Sequence, residues 1–167
     1  MIITSNLDSI IQRQVALGTY RPEEFIPSPY MTAYWLGHIT EELAEFRDAS
    51  VKNKPAEAAD VIIFIQNYVA LQYPDEELVI DLGATRTVHK PTDLLYLVLI
   101  DSVRQNGYNR KSWKVYNKDS FASYCQKIVE PILRLLLYYV ESEELLHSYN
   151  KKLNYNLQRP DWKLRQT

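Results

Sequence analysis

The chain has 167 residues, 46% of them hydrophobic and 24% charged, with 19 Lys and Arg against 21 Asp and Glu for a net charge of −2. That length predicts one domain spanning residues 1–167, large enough to bury about 70% of its unfolded surface without staples. The charge balance gives no support to a general nucleic-acid binder, although residues 151–167 carry five basic side chains against Asp161, a local net of +4.

A single cysteine, Cys125, excludes an internal disulfide. Met1 to Leu17 lacks the basic start and sustained apolar run of a signal peptide, so a reducing, cytoplasmic compartment is expected. The longest apolar run, Ile132 to Val140, is broken by Arg134 and falls short of the ~20 residues a membrane span requires. No membrane segment is expected.

In chain order, Leu7, Ile10, Ile11, Val15 and Leu17 recur at near-helical spacing behind Ser5 or Asn6 as N-cap, which predicts a short helix ended by Gly18. Pro22, Pro27 and Pro29 then keep residues 18–30 irregular, because proline supplies no backbone N–H. A loop of that length is a candidate flap over a site or a contact between copies. An acidic helix follows from Met31 or Thr32 to about Ser50, with Leu36, Ile39, Leu43 and Phe46 as its apolar stripe. The next helix runs from Pro55, which suits a first turn, to Tyr73. After Asp60 its run of Val61, Ile62, Ile63, Phe64 and Ile65 leaves almost no polar side, so this helix should be buried.

Residues 74–91 read either as a long connection or, at Leu78 to Leu82, as a short strand. From Thr92 as N-cap, Leu94, Leu95, Leu97, Val98, Leu99, Ile100 and Val103 predict another buried helix that Gly107 ends. Residues 108–118 interleave Tyr108, Trp113 and Tyr116 with Arg110, Lys111, Lys114 and Lys118. That pattern can serve nucleic acid or a phosphate, but in an acidic chain a surface loop is the simpler reading. The last helix begins near Asp119 or Ser120 and continues to about Asn154, with a kink or restart forced by Pro131. Its core positions are Ile128, Ile132, Leu135, Leu136, Tyr139 and Val140. The expected fold is all-α, a bundle of four to six helices with no internal repeat and no Gly-rich phosphate loop.

Chemistry concentrates between His38 and Asn67. Glu41, Glu42 and Glu45 crowd one side of the acidic helix, where like charges cost roughly 0.2 to 0.5 kcal/mol per pair. Glu57 and Asp60 share a face of the next helix. If the two form an antiparallel hairpin turning near Val51, Glu45 lies level with Glu57 and Glu42 level with Asp60. Four converging carboxylates make a hard, oxygen-only site that suits Mg²⁺ or Mn²⁺ and fits zinc poorly.

Plainer readings stand beside this one: a solvated acidic face for the three glutamates, and for Glu57 a carboxylate placed against the positive end of a helix dipole. Asp60 resists them, because a carboxylate at the edge of a buried surface is expensive without a metal ion or a base. His38 reads as a partner of Glu41 or Glu42. A ferritin-like di-metal protein would need paired Glu-x-x-His motifs, and Glu144 with His147 supplies one.

The arrangement Glu41-Glu42-Leu43-Ala44-Glu45 followed by Glu57-Ala58-Ala59-Asp60 resembles the signature of the all-α nucleoside triphosphate pyrophosphohydrolases, which include MazG-like proteins, dimeric dUTPases and dCTP pyrophosphatases. Lys152-Leu-Asn-Tyr155-Asn156-Leu-Gln-Arg159-Pro160 resembles the Lys-x-x-Tyr-Asn-x-x-Arg-Pro segment of the MazG-like members. The likeness covers roughly residues 31–73 and 145–162. Ala59 stands where many relatives have Gly, the gap from Glu45 to Glu57 is short, and the middle of the chain is unmatched.

The resemblance implies Mg²⁺-dependent or Mn²⁺-dependent hydrolysis of a nucleoside or deoxynucleoside triphosphate, with dUTP or dCTP favoured, by a homodimer or homotetramer. On that pattern Glu42, Glu45, Glu57 and Asp60 hold metal, Glu41 activates water, and Lys152 and Arg159 clamp phosphates. Trp35, Asn67, Tyr155 and Asn156 would contact the base or sugar, although Trp35 reads equally as a core aromatic. The competing expectation is a non-catalytic helical interaction protein whose acidic face binds a basic partner. Such a protein would bind no divalent metal tightly and would tolerate Asp60→Asn.

Overall fold

The computed structural model describes residues 2–5, 29–73, 75–83, 93, 95–96, 98–101, 103–104 and 120–158. The fold is all-α. Strand β1 (Ile2–Ser5) precedes helices α1 (Pro29–Asp48) and α2 (Lys54–Gln72); strand β2 (Leu78–Asp81) follows, then α3 (Phe121–Tyr124), a π-helical segment (Cys125–Val129), α4 (Glu130–Tyr139) and α5 (Ser142–Gln158). Residues 93, 95–96, 98–101 and 103–104 also have helical backbone. Residues 6–17 of the expected first helix, residues 18–28 of the expected irregular stretch and the basic aromatic stretch 108–118 lie outside the described residues; Ser5 ends β1, and Pro29 and Tyr30, expected to be irregular, open α1, where a first-turn proline lacks no needed N–H.

Helix α2 is the centre of the molecule, packed against both α1 and α5. Its sequence requires this, because from Ala58 to Tyr73 apolar side chains fall on nearly every side. Ala58, Ala59, Val61, Ile62, Ile65, Tyr68, Val69, Ala70 and Tyr73 are all buried. The α1 stripe of Leu36, Ile39, Leu43 and Phe46 closes on one flank of α2, and each such side chain contributes about 1.5–3 kcal/mol by leaving water. Leu145 and Tyr149 of α5 are buried as well.

The connection between α1 and α2 lies where the sequence places it. Ser50 O accepts from Asn53 N at 2.9 Å and Lys54 N at 3.0 Å, so the chain reverses within a few residues. Lys54 then reaches back: its Nζ donates to Phe46 O at 2.8 Å and Arg47 O at 3.3 Å, satisfying carbonyls that a helix end leaves bare. The same ammonium lies 4.7 Å from the centre of the Phe46 ring and 5.3 Å from that of Tyr139.

Several expectations are corrected. The strand reading of residues 78–82 holds for Leu78–Asp81, and its partner is β1, antiparallel with Ile3 opposite Ile80. Leu78 and Ile80 face inward while Val79 and Asp81 face out, the period of two a strand imposes. The last helix is not continuous to residue 154. It breaks at Val140, whose backbone is extended, and restarts at Ser142, whose Oγ donates to Leu82 O at 2.5 Å.

Upstream of Pro131, Glu130 N donates to Cys125 O, one residue further back than in an α-helix. This wider turn stands where a proline ring would otherwise press on the preceding carbonyls. Ile128, Ile132, Leu135, Leu136 and Val140 are core as expected, whereas Tyr139 is exposed beside Lys54. The expected burial of the stretch after Thr92 does not hold throughout: of its described residues Val98 is buried, but Tyr96, Leu99, Ile100 and Val103 are exposed.

Candidate metal centre

The hairpin register brings three of the four predicted carboxylates together. Glu42 of α1 and Glu57 and Asp60 of α2 each offer an oxygen, and the three oxygens lie within 4.8 Å of one another. The same register carries other contacts along the seam: His38 stacks on Phe64 with ring centres 5.3 Å apart, and Trp35 lies 5.9 Å from Phe64. Glu42 with Asp60, and His38 with Phe64, are each equidistant from Val51 at the turn, as antiparallel helices aligned about one turn require.

Helix geometry explains which glutamates take part. At about 100° per residue, Glu42 stands roughly 80° from the middle of the Leu36–Ile39–Leu43–Phe46 stripe, Glu45 about 140° and Glu41 about 180°. Glu42 is accordingly half-buried, while Glu45 and Glu41 are exposed. Glu45 remains close enough for its charge to raise the pKa of both Glu42 and Glu57. Glu41 turns away and approaches His38, with Oε2 at 3.4 Å from Nδ1, the pairing expected of that histidine.

The cluster is charged beyond what its surroundings balance. Glu42 is pushed up to about 7, first by burial and then by the charges of Asp60, Glu45 and Glu57. Glu57 is raised by burial, Asp60 and Glu45. Asp60 is also raised, because its burial outweighs a strong opposing contact with Lys152. Lys152 of α5 lies with Nζ 2.6 Å from Asp60 Oδ2, and its charge lowers the pKa of all three carboxyls. One ammonium faces three acids.

The donor set fits a hard divalent cation. All three groups are oxygen donors, and an octahedral ion with bonds of about 2.1 Å holds neighbouring and opposite ligands about 3 to 4 Å apart, close to the 4.8 Å span here. A softer metal would want His or Cys, and among the described residues the cluster has neither.

The other predicted residues are placed as follows. Trp35 is buried among His38 and Phe64, which is the core-aromatic reading of it. Asn67 is buried on α2, two turns beyond Asp60. Asn156 is half-buried and Tyr155 exposed, both on the last turn of α5. Arg159 lies outside the described residues.

The sequence reading passed over one polar contact on the same seam. Tyr149 donates its hydroxyl to Gln66 Oε1 at 2.9 Å, and both side chains are buried. A glutamine inside an apolar helical run was the available signal.

No family model, no curated protein and no solved structure matches this chain. Among the described residues no helix is long and apolar enough to cross a membrane.

Proposed function

We propose that the chain hydrolyses nucleoside triphosphates between the α and β phosphates, with a divalent cation, giving a monophosphate and pyrophosphate. The observation that carries this reading is the convergence of Glu42, Glu57 and Asp60 within 4.8 Å, with Lys152 beside them, from helices whose carboxylate spacing resembles that of the pyrophosphohydrolases. Glu42, Glu57 and Asp60 would hold Mg²⁺ or Mn²⁺, with Glu45 at their edge. The bound cation would neutralise phosphate oxygens as charge develops on them.

Lys152, beside Asp60, would meet a phosphate brought to the cluster with positive charge, and Arg159 follows it in sequence. The proton of the attacking water passes to an acid outside the three-oxygen cluster. Glu41 is that acid in the sequence reading, and Glu45 is its nearer neighbour; the pH–rate profiles of Glu41→Gln and Glu45→Gln separate them. Nucleotide-pool control, with dUTP or dCTP as substrate, and a homodimer or homotetramer complete the reading.

Purified protein and its Asp60→Asn variant, incubated with Mg²⁺ and a panel of nucleoside and deoxynucleoside triphosphates, test it. The expected outcome is release of both products by the wild type and a loss on the order of 1000-fold in the variant. Absence of turnover with either Mg²⁺ or Mn²⁺ refutes it.

One observation favours a second reading. Asp60 already has a base, Lys152, as an internal partner, which is what a helical protein using its acidic face to bind a basic partner would need. That protein would bind no divalent metal tightly, and Asp60→Asn would be tolerated.

A further inference from the structure

The carboxylate cluster already holds a cation of its own. Lys152 sets its Nζ 2.6 Å from Asp60 Oδ2, and its charge acts on Glu42 and Glu57 as well. Among the described residues Asp60 is the one hydrogen-bond partner of that ammonium. Lys54 is held differently: its Nζ donates to the carbonyls of Phe46 and Arg47 and lies over two aromatic rings. One lysine is built in, and the other is tethered at a single point.

That tether is an oxygen a metal would need. A divalent ion bound to Asp60 Oδ2 at about 2.1 Å would lie within about 5 Å of an ammonium that kept its present place. Asp60 is half-buried, so the repulsion between the two is poorly screened. The ammonium has room to leave. Its side chain is 35% exposed against 14% for that of Asp60, so it reaches the carboxylate from the solvent side, on a flexible stem of four carbons.

Resting on the metal-binding part of the reading above, we infer that Lys152 is the resident counter-ion of the metal-free cluster and that an incoming divalent cation displaces it from Asp60. Until then the ammonium offsets the cost of holding three acids together. Once displaced, it stands beside the metal and is freed for an anionic group that the metal attracts. One side chain thus serves the empty and the loaded site in turn.

Trace acetylation of the lysines of the full chain, read by mass spectrometry without and with saturating Mn²⁺, tests the displacement with no variant. Lys152 labelling is expected to rise several-fold with Mn²⁺, with Lys54 as the unmoved reference. The Mn²⁺ dissociation constant, read from the electron paramagnetic resonance of the free ion at about pH 8, should fall about tenfold in Lys152→Met, because a competing cation is gone. Lys151→Met removes an equal charge from the exposed neighbouring position and should leave that constant unchanged. The inference is overturned, with the metal reading intact, if Mn²⁺ binds but Lys152 labelling does not rise, if Lys152→Met binds it no tighter than the wild type, or if Lys151→Met tightens binding as much. Mn²⁺ bound by neither the wild type nor Lys152→Met overturns both.

Discussion

Among the described residues, two of the polar links between α2 and α5 are built differently. Gln66 and Tyr149 meet as neutral groups, both buried, one donor to one acceptor. Asp60 and Lys152 meet as charged groups, half-buried, in a cluster that holds two further acids. The first link is balanced, as a packing contact has to be where water cannot help. The second leaves a surplus of negative charge that burial makes costly, and Glu42 shows that cost in its upward shift. Packing two helices needs only the first kind. The surplus is what a cation bound there, as proposed, would balance.

If this contrast is right, variants on the two links separate cleanly. On the charged link, Lys152→Met should cost activity, if less than Asp60→Asn: turnover of the preferred nucleotide is expected to fall about 100-fold, a magnitude typical of losing one charged group that meets developing negative charge. Steady-state rates with saturating Mg²⁺ check this, and wild-type turnover would reduce Lys152 to a packing residue.

Tyr149→Phe removes the balanced link and should do the reverse, lowering unfolding free energy by about 1–2 kcal/mol with turnover unchanged. Urea denaturation beside the same assay reads both effects. A variant that lost activity while remaining as stable would blur the distinction.

The smallest effect is on pH dependence. Glu42 titrates near 7 in the fold against 4.5 for the free group, so its protonated form favours the folded state. That contribution is complete below about pH 4.5 and is lost as pH rises through about 7. Without metal, the thermal midpoint should fall by a few degrees between about pH 5.5 and 8, and Glu42→Gln should flatten the slope. Added Mg²⁺ should stabilise most at the alkaline end, where the carboxylates are ionised. A midpoint independent of pH in the wild type would contradict the charge surplus.

The cluster was legible because its helices obey simple periods. The equal distances of Glu42 and Asp60 from the turn gave the register, and the apolar run after Asp60 gave the burial. Glu45 illustrates a limit: sharing a side with Glu42 in sequence did not give it the same facing, although the angle from the apolar stripe separates them. Lys152 was recognised as important, but its contact with Asp60 depends on how α5 docks, which no local period encodes.

The stretch after Thr92 reads as buried because seven apolar residues exceed what one face needs; packing takes Val98 into the core and leaves Leu99, Ile100 and Val103 exposed. Strand β1 was missed for a related reason. Four residues that pair with a segment more than seventy positions away carry no local signature.

The short connection at residues 49–53 has a consequence of its own. With Lys54 tying the end of α1 to Tyr139, the hairpin tip works as a length gauge that aligns the carboxylates from a distance. Substitutions at exposed Val51 or Lys52 leave the gauge unread. A single residue inserted there and taken up within the first turn of α2, rather than in the turn itself, would rotate the rest of α2 by about 100° relative to α1, and Glu42 would no longer face Asp60 although every side chain of the cluster was still present. What this stretch has to keep is the register of the two helices, not its own side chains.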